Sequence, residues 1–151
     1  MGRLTLVRHG HTPLDAPGPG ERLRGWLDIP RDGRGLQEAA ETTERLADHP
    51  VETICSSDLR RARQTAEALR RRTRVGVAHS MELRPWNLGV LCGQRVSDVV
   101  PFLNLPNRHP HLATPKGESF PQFYGHYLRR LTELMNLALA TSGCIIAEAR
   151  V

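Results

Sequence analysis

Leu4-Thr5-Leu6-Val7-Arg8-His9-Gly10-His11-Thr12 is the stretch from which the rest of the chain is read. Leu, Thr and Val suit a short, buried, pleated strand from Leu4 to Val7, and the run leads straight into Arg-His-Gly. Gly10 permits a sharp turn where that strand ends. A guanidinium and an imidazole at the carboxyl end of a strand sit where open α/β sheets bind their ligands. His9 is therefore the candidate reactive group and Arg8 a candidate anion ligand.

Outward from this stretch, Pro13 to Arg34 is rich in Pro, Gly and Asp and keeps no period. A loop of about twenty residues in a compact domain is usually functional, and this one carries Gly25-Trp26-Leu27-Asp28-Ile29-Pro30. Leu36 to Ala47 reads as an amphipathic helix with Leu36, Ala39, Ala40, Thr43 and Leu46 on one face, and Pro50 closes it. Val51 to Cys55 reads as a second strand. Ser56-Ser57-Asp58 stands just before a helical pattern whose stripe is Ala62, Ala66 and Leu69, so these residues are expected to cap that helix. Val75 to Ala78 reads as a third strand, and Val96 to Thr114, rich in Pro, Asn and His, as a lid or insertion. A long helix follows Pro115-Lys116-Gly117-Glu118-Ser119, with Phe120, Tyr124, Tyr127, Leu131, Leu134 and Ala138 on its packed face. Gly143 ends it, and Cys144 to Ala147 reads as a fourth strand.

At 151 residues, with no repeat and no linker, the chain is expected to form a single domain over 1–151. Apolar residues at 39% and charged residues at 25% fit a globular protein rather than a disordered one. No apolar run approaches the roughly 20 residues of a membrane span, and Met1-Gly2-Arg3 enters the first strand at once, so neither a membrane nor a signal peptide is expected. Cys55, Cys92 and Cys144 have no Cys-x-x-Cys spacing, which argues against a disulfide framework or structural zinc and for a reducing, cytoplasmic setting. His109 and His111 lack carboxylate or thiolate neighbours and are not read as metal ligands. The net charge of +5 comes largely from arginines between Arg60 and Arg74. A run of arginines on a helix is read as a solvated face, and without interleaved aromatics it offers no stacking platform, so no nucleic-acid partner is expected.

These motifs resemble those of the histidine phosphatase superfamily, the phosphoglycerate mutase-like proteins of branch 1. Leu6-Val7-Arg8-His9-Gly10 is similar to the run that carries the family's nucleophilic histidine. Ser56-Ser57-Asp58-Leu59-Arg60-Arg61-Ala62-Arg63-Gln64-Thr65-Ala66 is similar to its Ser-Ser-Asp-Leu-x-Arg-Ala-x-Gln-Thr-Ala signature, and Pro115 to Ser119 to its Pro-x-Gly-Glu-Ser run. The Gly25 to Pro30 segment and the start of the first helix are weaker matches. The resemblance implies an α/β three-layer sandwich with a mostly parallel sheet. It implies a small phosphorylated substrate and no cofactor or metal. His9 would attack phosphorus, Arg8 and Arg61 would hold the phosphoryl oxygens, a carboxylic acid would protonate the leaving oxygen, and water would hydrolyse the phosphohistidine.

The sequence departs from the family in two places. Counting back four from Gly89, where the family has its acidic Glu, lands on Pro85, and Glu82 is the nearest carboxylate. After the fourth strand, where the family has a second histidine, stands Glu148, followed by Ala149, Arg150 and Val151. The family's last helix and strand are expected to be missing, which predicts uncovered apolar surface and either marginal stability or self-association, a homodimer being one form of the latter. Three functions stay open: a phosphatase acting through phospho-His9, a non-catalytic member that binds a phosphorylated ligand or partner, and a mutase-type phosphoryl transferase.

Overall fold

In the computed structural model, residues 2–104, 108–141 and 143–147 are described. Four strands, β1 (Leu4–Val7), β2 (Thr53–Ser56), β3 (Val77–His79) and β4 (Cys144–Ala147), form one sheet. Their order is β1-β4-β2-β3 and every pairing is parallel. The helices are α1 (Gly33–Arg45), α2 (Arg60–Thr73), α3 (Val96–Leu103) and α4 (Phe120–Ala140).

The alternation of a strand gives this sheet two covered faces. Ile54 points to one side, where it packs with Val7, Ala66 and Leu69 beneath α2. Its neighbour Cys55 points to the other, against Leu83, Leu134 and Ala138 beneath α4. Helix, sheet and helix therefore make the three layers that the motifs imply. β4 is central, with β1 on one flank and β2 on the other. Among the described residues, no helix is long and apolar enough to cross a membrane.

The structure corrects several local readings. β1 lies at an edge of the sheet, so only Val7 is fully buried and Leu6 stands 57% exposed. α1 begins at Gly33 because the Asp32 carboxylate accepts the Gly35 N–H at 2.9 Å, an N-cap that precedes the apolar stripe. β2 and β3 start two residues later than the apolar pattern suggests. The cap of α2 is not local: Leu59 holds the N-cap position without a side-chain bond, and Arg60 N–H is accepted instead by Asp28, 2.6 Å away in the long loop. The stretch from Val96 to Thr114, read as a lid or insertion, begins with the helix α3.

α4 keeps its expected face over Tyr127, Leu131, Leu134 and Ala138 and departs from it only in its first turns. Ser119 and Gln122 form a capping box at its start. Phe123, Tyr127, Leu134 and Ala138 are buried, whereas Phe120 and Tyr124 lie outside the core and stack on each other at 5.7 Å. The sequence pattern starts the stripe at Phe120; the structure buries Phe123 there instead, through its contacts with Trp86 and Tyr127. Replacing Leu134 by Ala should cost about 2–5 kcal/mol of unfolding free energy by urea titration. Tyr124→Ala should cost about 1 kcal/mol or less; equal losses would contradict this assignment of faces.

Candidate active site

The site is built where β1 gives way to the Arg8-His9-Gly10 turn. His9 is buried, and its Nδ1 lies 2.9 Å from the Gly10 carbonyl. A carbonyl can only accept, so Nδ1 carries the proton and the lone pair is left on Nε2. The turn is fixed from both sides. Gly10 N–H donates to Thr65 Oγ1 of α2 at 3.3 Å, and a side chain at Gly10 would run into the Gly35 carbonyl of α1, 2.3 Å from an added Cβ.

Burial is the main reason that the pKa of His9 is pushed down from 6.5 to about 4. The Gly10 carbonyl and the Asp15 carboxylate oppose the shift, while the charges of Arg61 and Arg24 add to it. At neutral pH the ring is uncharged and its Nε2 is a competent nucleophile.

Three charged side chains gather beside it. Asp15 folds back over a tight turn, accepting both the N–H and the hydroxyl of Thr12 at 2.8 and 2.6 Å. Arg24 reaches the other Asp15 oxygen at 2.7 Å and Arg8 reaches it at 3.3 Å. Burial works against ionisation of Asp15, but the Thr12 hydrogen bonds and Arg24 outweigh it and hold the carboxyl below the usual carboxylate range. The cleft here has a volume near 510 Å³ and is lined by Arg8, His9, His11, Asp15, Glu38 and Arg45, among others.

Arg61 is almost wholly buried and works as an internal clamp. Its two terminal nitrogens donate to the Leu27 and Gly25 carbonyls, each at 2.9 Å, tying the Gly25 to Pro30 segment to α2. The same segment caps α2 through Asp28, and its Trp26 indole donates to the Pro85 carbonyl at 2.7 Å. Arg84, beside Pro85, makes a two-pronged pair with Asp58 at 2.7 and 2.6 Å and lies 4.6 Å over the Trp26 ring. Asp58 is thus a tether for the segment at Pro85 and not a helix cap.

Of the four residues singled out in the sequence, Arg8 and His9 line one cleft, Arg61 does not line it but is near enough for its charge to act on His9, and Glu82 is set apart. Glu82 pairs with Arg129 of α4, and its carbonyl accepts from His126 Nδ1 at 2.9 Å. It is not among the residues that line the His9 cleft. Glu118 of the Gly-Glu-Ser run is also structural, accepting the Asn87 N–H at 2.8 Å and lying 3.1 Å from His126 Nε2. The positions of Glu148 and Arg150 lie outside the described residues. Sequence reading missed Thr12, Asp15, Arg24 and Thr65. The Thr12-Pro13-Leu14-Asp15 run does carry a turn signal, with Pro in the second position, but nothing around Arg24 marks it. Among the described residues, no cluster of three or more His, Cys, Asp or Glu side chains could hold a metal ion.

The sequence model of the histidine phosphatase superfamily (branch 1) matches residues 4–146, and the chain belongs to that superfamily. It is 31% identical over 141 residues to the probable phosphoglycerate mutase GpmB of Escherichia fergusonii, covering 93% of this chain and 63% of that protein. It is 44% identical over 64 residues to a 2,3-bisphosphoglycerate-dependent phosphoglycerate mutase of Methanosarcina mazei, covering 42% of this chain and 25% of that one. The chain therefore spans less than two thirds of the length of these curated relatives. Among solved structures, a mycobacterial glucosyl-3-phosphoglycerate phosphatase superposes with a TM-score of 0.78 at 27% identity, covering 97% of this chain and 73% of that one.

The depressed pKa of His9 has a consequence for stability. Between about 4 and 6.5 the unfolded chain binds a proton at this position and the folded chain does not, so stability rises with pH across that window and falls as the pH drops through it. Denaturant titrations of the native chain and His9→Asn at intervals from pH 4 to pH 7 should show a steeper fall toward acid for the native chain. Parallel curves would mean that His9 titrates normally.

Proposed function

We propose that this chain is a phosphatase that hydrolyses a small phosphate monoester through a phosphohistidine on His9. The observation that carries the reading is the buried, uncharged imidazole whose Nδ1 is spent on Gly10, leaving Nε2 at a cleft that also holds Arg8. A phosphoryl dianion entering this cleft competes with Asp15 for the exposed Arg8 guanidinium, and the buried positive charge of Arg61 adds to the local field. His9 Nε2 attacks phosphorus as the ester P–O bond breaks, and the oxygen departs as an anion that takes its proton from water. Water then attacks the phosphohistidine, the P–N bond breaks, and inorganic phosphate leaves with His9 neutral again.

The weak point is the proton for the leaving oxygen. Glu82 could supply it only by giving up Arg129, and Asp15, though in the cleft, is held ionised by Thr12 and Arg24. The reading therefore favours esters whose leaving oxygen needs little protonation, such as aryl phosphates. The vanadate complex of the mycobacterial phosphatase, to which this chain is 26% identical with a TM-score of 0.80, supports an oxyanion site in this fold. The relatives named as mutases support transfer to a second hydroxyl instead of water, by the same first step. A non-catalytic role in binding a phosphorylated ligand is favoured by one observation: both terminal nitrogens of Arg61 are already engaged by loop carbonyls. A cytoplasmic setting belongs to the same proposal and is supported by the free thiols of Cys55 and Cys92.

Release of phosphate from an aryl phosphate should disappear in His9→Ala. It should persist within about twofold in Glu82→Gln, because that carboxylate is tied to α4 and not to the cleft; a loss of about a hundredfold or more would make Glu82 the acid. Equal background from the native chain and His9→Ala would overturn the phosphatase reading in favour of binding.

A further inference from the structure

A second concavity lies apart from the His9 cleft: a groove of about 1050 Å³ along the outer seam of α1 and α2, which shares no lining residue with the cleft. Leu36 and Ala40 of α1 face Ala68 of α2 across it, giving it an apolar floor. Leu36 is 53% exposed there, so the floor is open to solvent. The rim belongs to α2, where Arg60, Arg63 and Arg71 recur at helical spacing along one side. At 1.5 Å per residue this stripe runs about 16 Å.

The charge of the groove is unbalanced. Five arginines line it against three carboxylates. Glu67 is shared between Arg70 and Arg71, and Glu44 meets Arg72 only at 3.9 Å. Asp28 is turned to the backbone N–H of Arg60. Among the described residues, the Arg60 and Arg63 guanidinium groups form no ion pair. Two exposed guanidinium groups without an ion pair among the described residues, beside an apolar floor, are complementary to a partner that carries carboxylates along one flank and short aliphatic side chains along its middle.

We propose that this groove docks an acidic amphipathic helix of a partner protein. Two helices lying side by side leave a furrow that receives the ridge of a third, and Leu36 and Ala40, four residues apart, match leucines at i and i+4 of such a ligand. Carboxylates on its flank meet Arg60 and Arg63 at one end and Arg71 at the other. Nucleic acid fits less well: no Phe, Tyr or Trp lines the groove, which leaves only the His79 imidazole for bases to stack on, and an aliphatic floor gains little from a phosphate backbone.

The test uses the full chain and a fluorescein-labelled helical peptide of about fifteen residues, with leucines at i, i+4 and i+7 and glutamates elsewhere. Fluorescence anisotropy should show saturable binding, weakened about tenfold by Arg63→Glu and, independently, by Leu36→Ser. Both side chains are exposed, and a circular-dichroism melt of each variant confirms that the fold is retained. A peptide of the same composition with its leucines scrambled off the stripe should also bind about tenfold more weakly. Absence of saturable binding, or equal binding by the native chain and both variants, would overturn the proposal. So would a single-stranded oligonucleotide of equal charge that displaces the peptide at lower concentration, which would reassign the groove to nucleic acid.

Discussion

The hydrogen bond from His9 Nδ1–H to the Gly10 carbonyl is the constraint on which the site depends. It chooses the tautomer, aims the ring, and leaves one nitrogen for chemistry. It can do so only because the Arg8-His9-Gly10 turn is itself immobilised, by Thr65 of α2 on one side and by the glycine-to-glycine approach of α1 on the other. Burial then keeps the imidazole uncharged beside Arg61 and Arg24, where a protonated ring would meet like charge. Strand, turn and both helices on that face of the sheet thus converge on the protonation state of one side chain.

The arginines divide into two kinds of work. Arg61 and Arg84 are structural: one clamps the Gly25 to Pro30 loop by its carbonyls, the other pins the segment at Pro85 through Asp58 and Trp26. Arg8, half exposed and held by one longer contact to Asp15, is the one placed to change partners when an anion arrives. Asp15 holds Arg8 in a fixed place through that contact. The cost is a carboxylate near an incoming phosphate, so affinity for the dianion depends on how readily Arg8 and Arg24 are shared.

Much of the fold was legible because its signals are local. A short apolar strand, an Arg-His-Gly turn and two strongly periodic helices survive reading without coordinates. The errors fall where tertiary partners override local pattern. Leu6 looks buried in sequence, but an edge position exposes it. Ser56 to Asp58 look like caps, but Asp28 does that work from thirty-two residues away. At the start of α4 Phe123 takes the buried place expected of Phe120 because it meets Trp86, a contact no periodicity contains. At the site, Arg8, His9 and Arg61 were marked by motif. Asp15 and Arg24 were not, because their role exists only once a loop folds back to join them, and the ion pair that carries Glu82 away to Arg129 is equally invisible in one dimension.

The claim at the centre of this account is that His9 Nε2 takes the phosphoryl group. The direct measurement is rapid-quench mixing of the chain with a stoichiometric amount of labelled aryl phosphate, followed by peptide mapping. The account predicts a transient label on the peptide that holds His9, stable in alkali and lost in acid as a P–N bond requires. Phosphate release without any label on that peptide, or label on another residue, would contradict it.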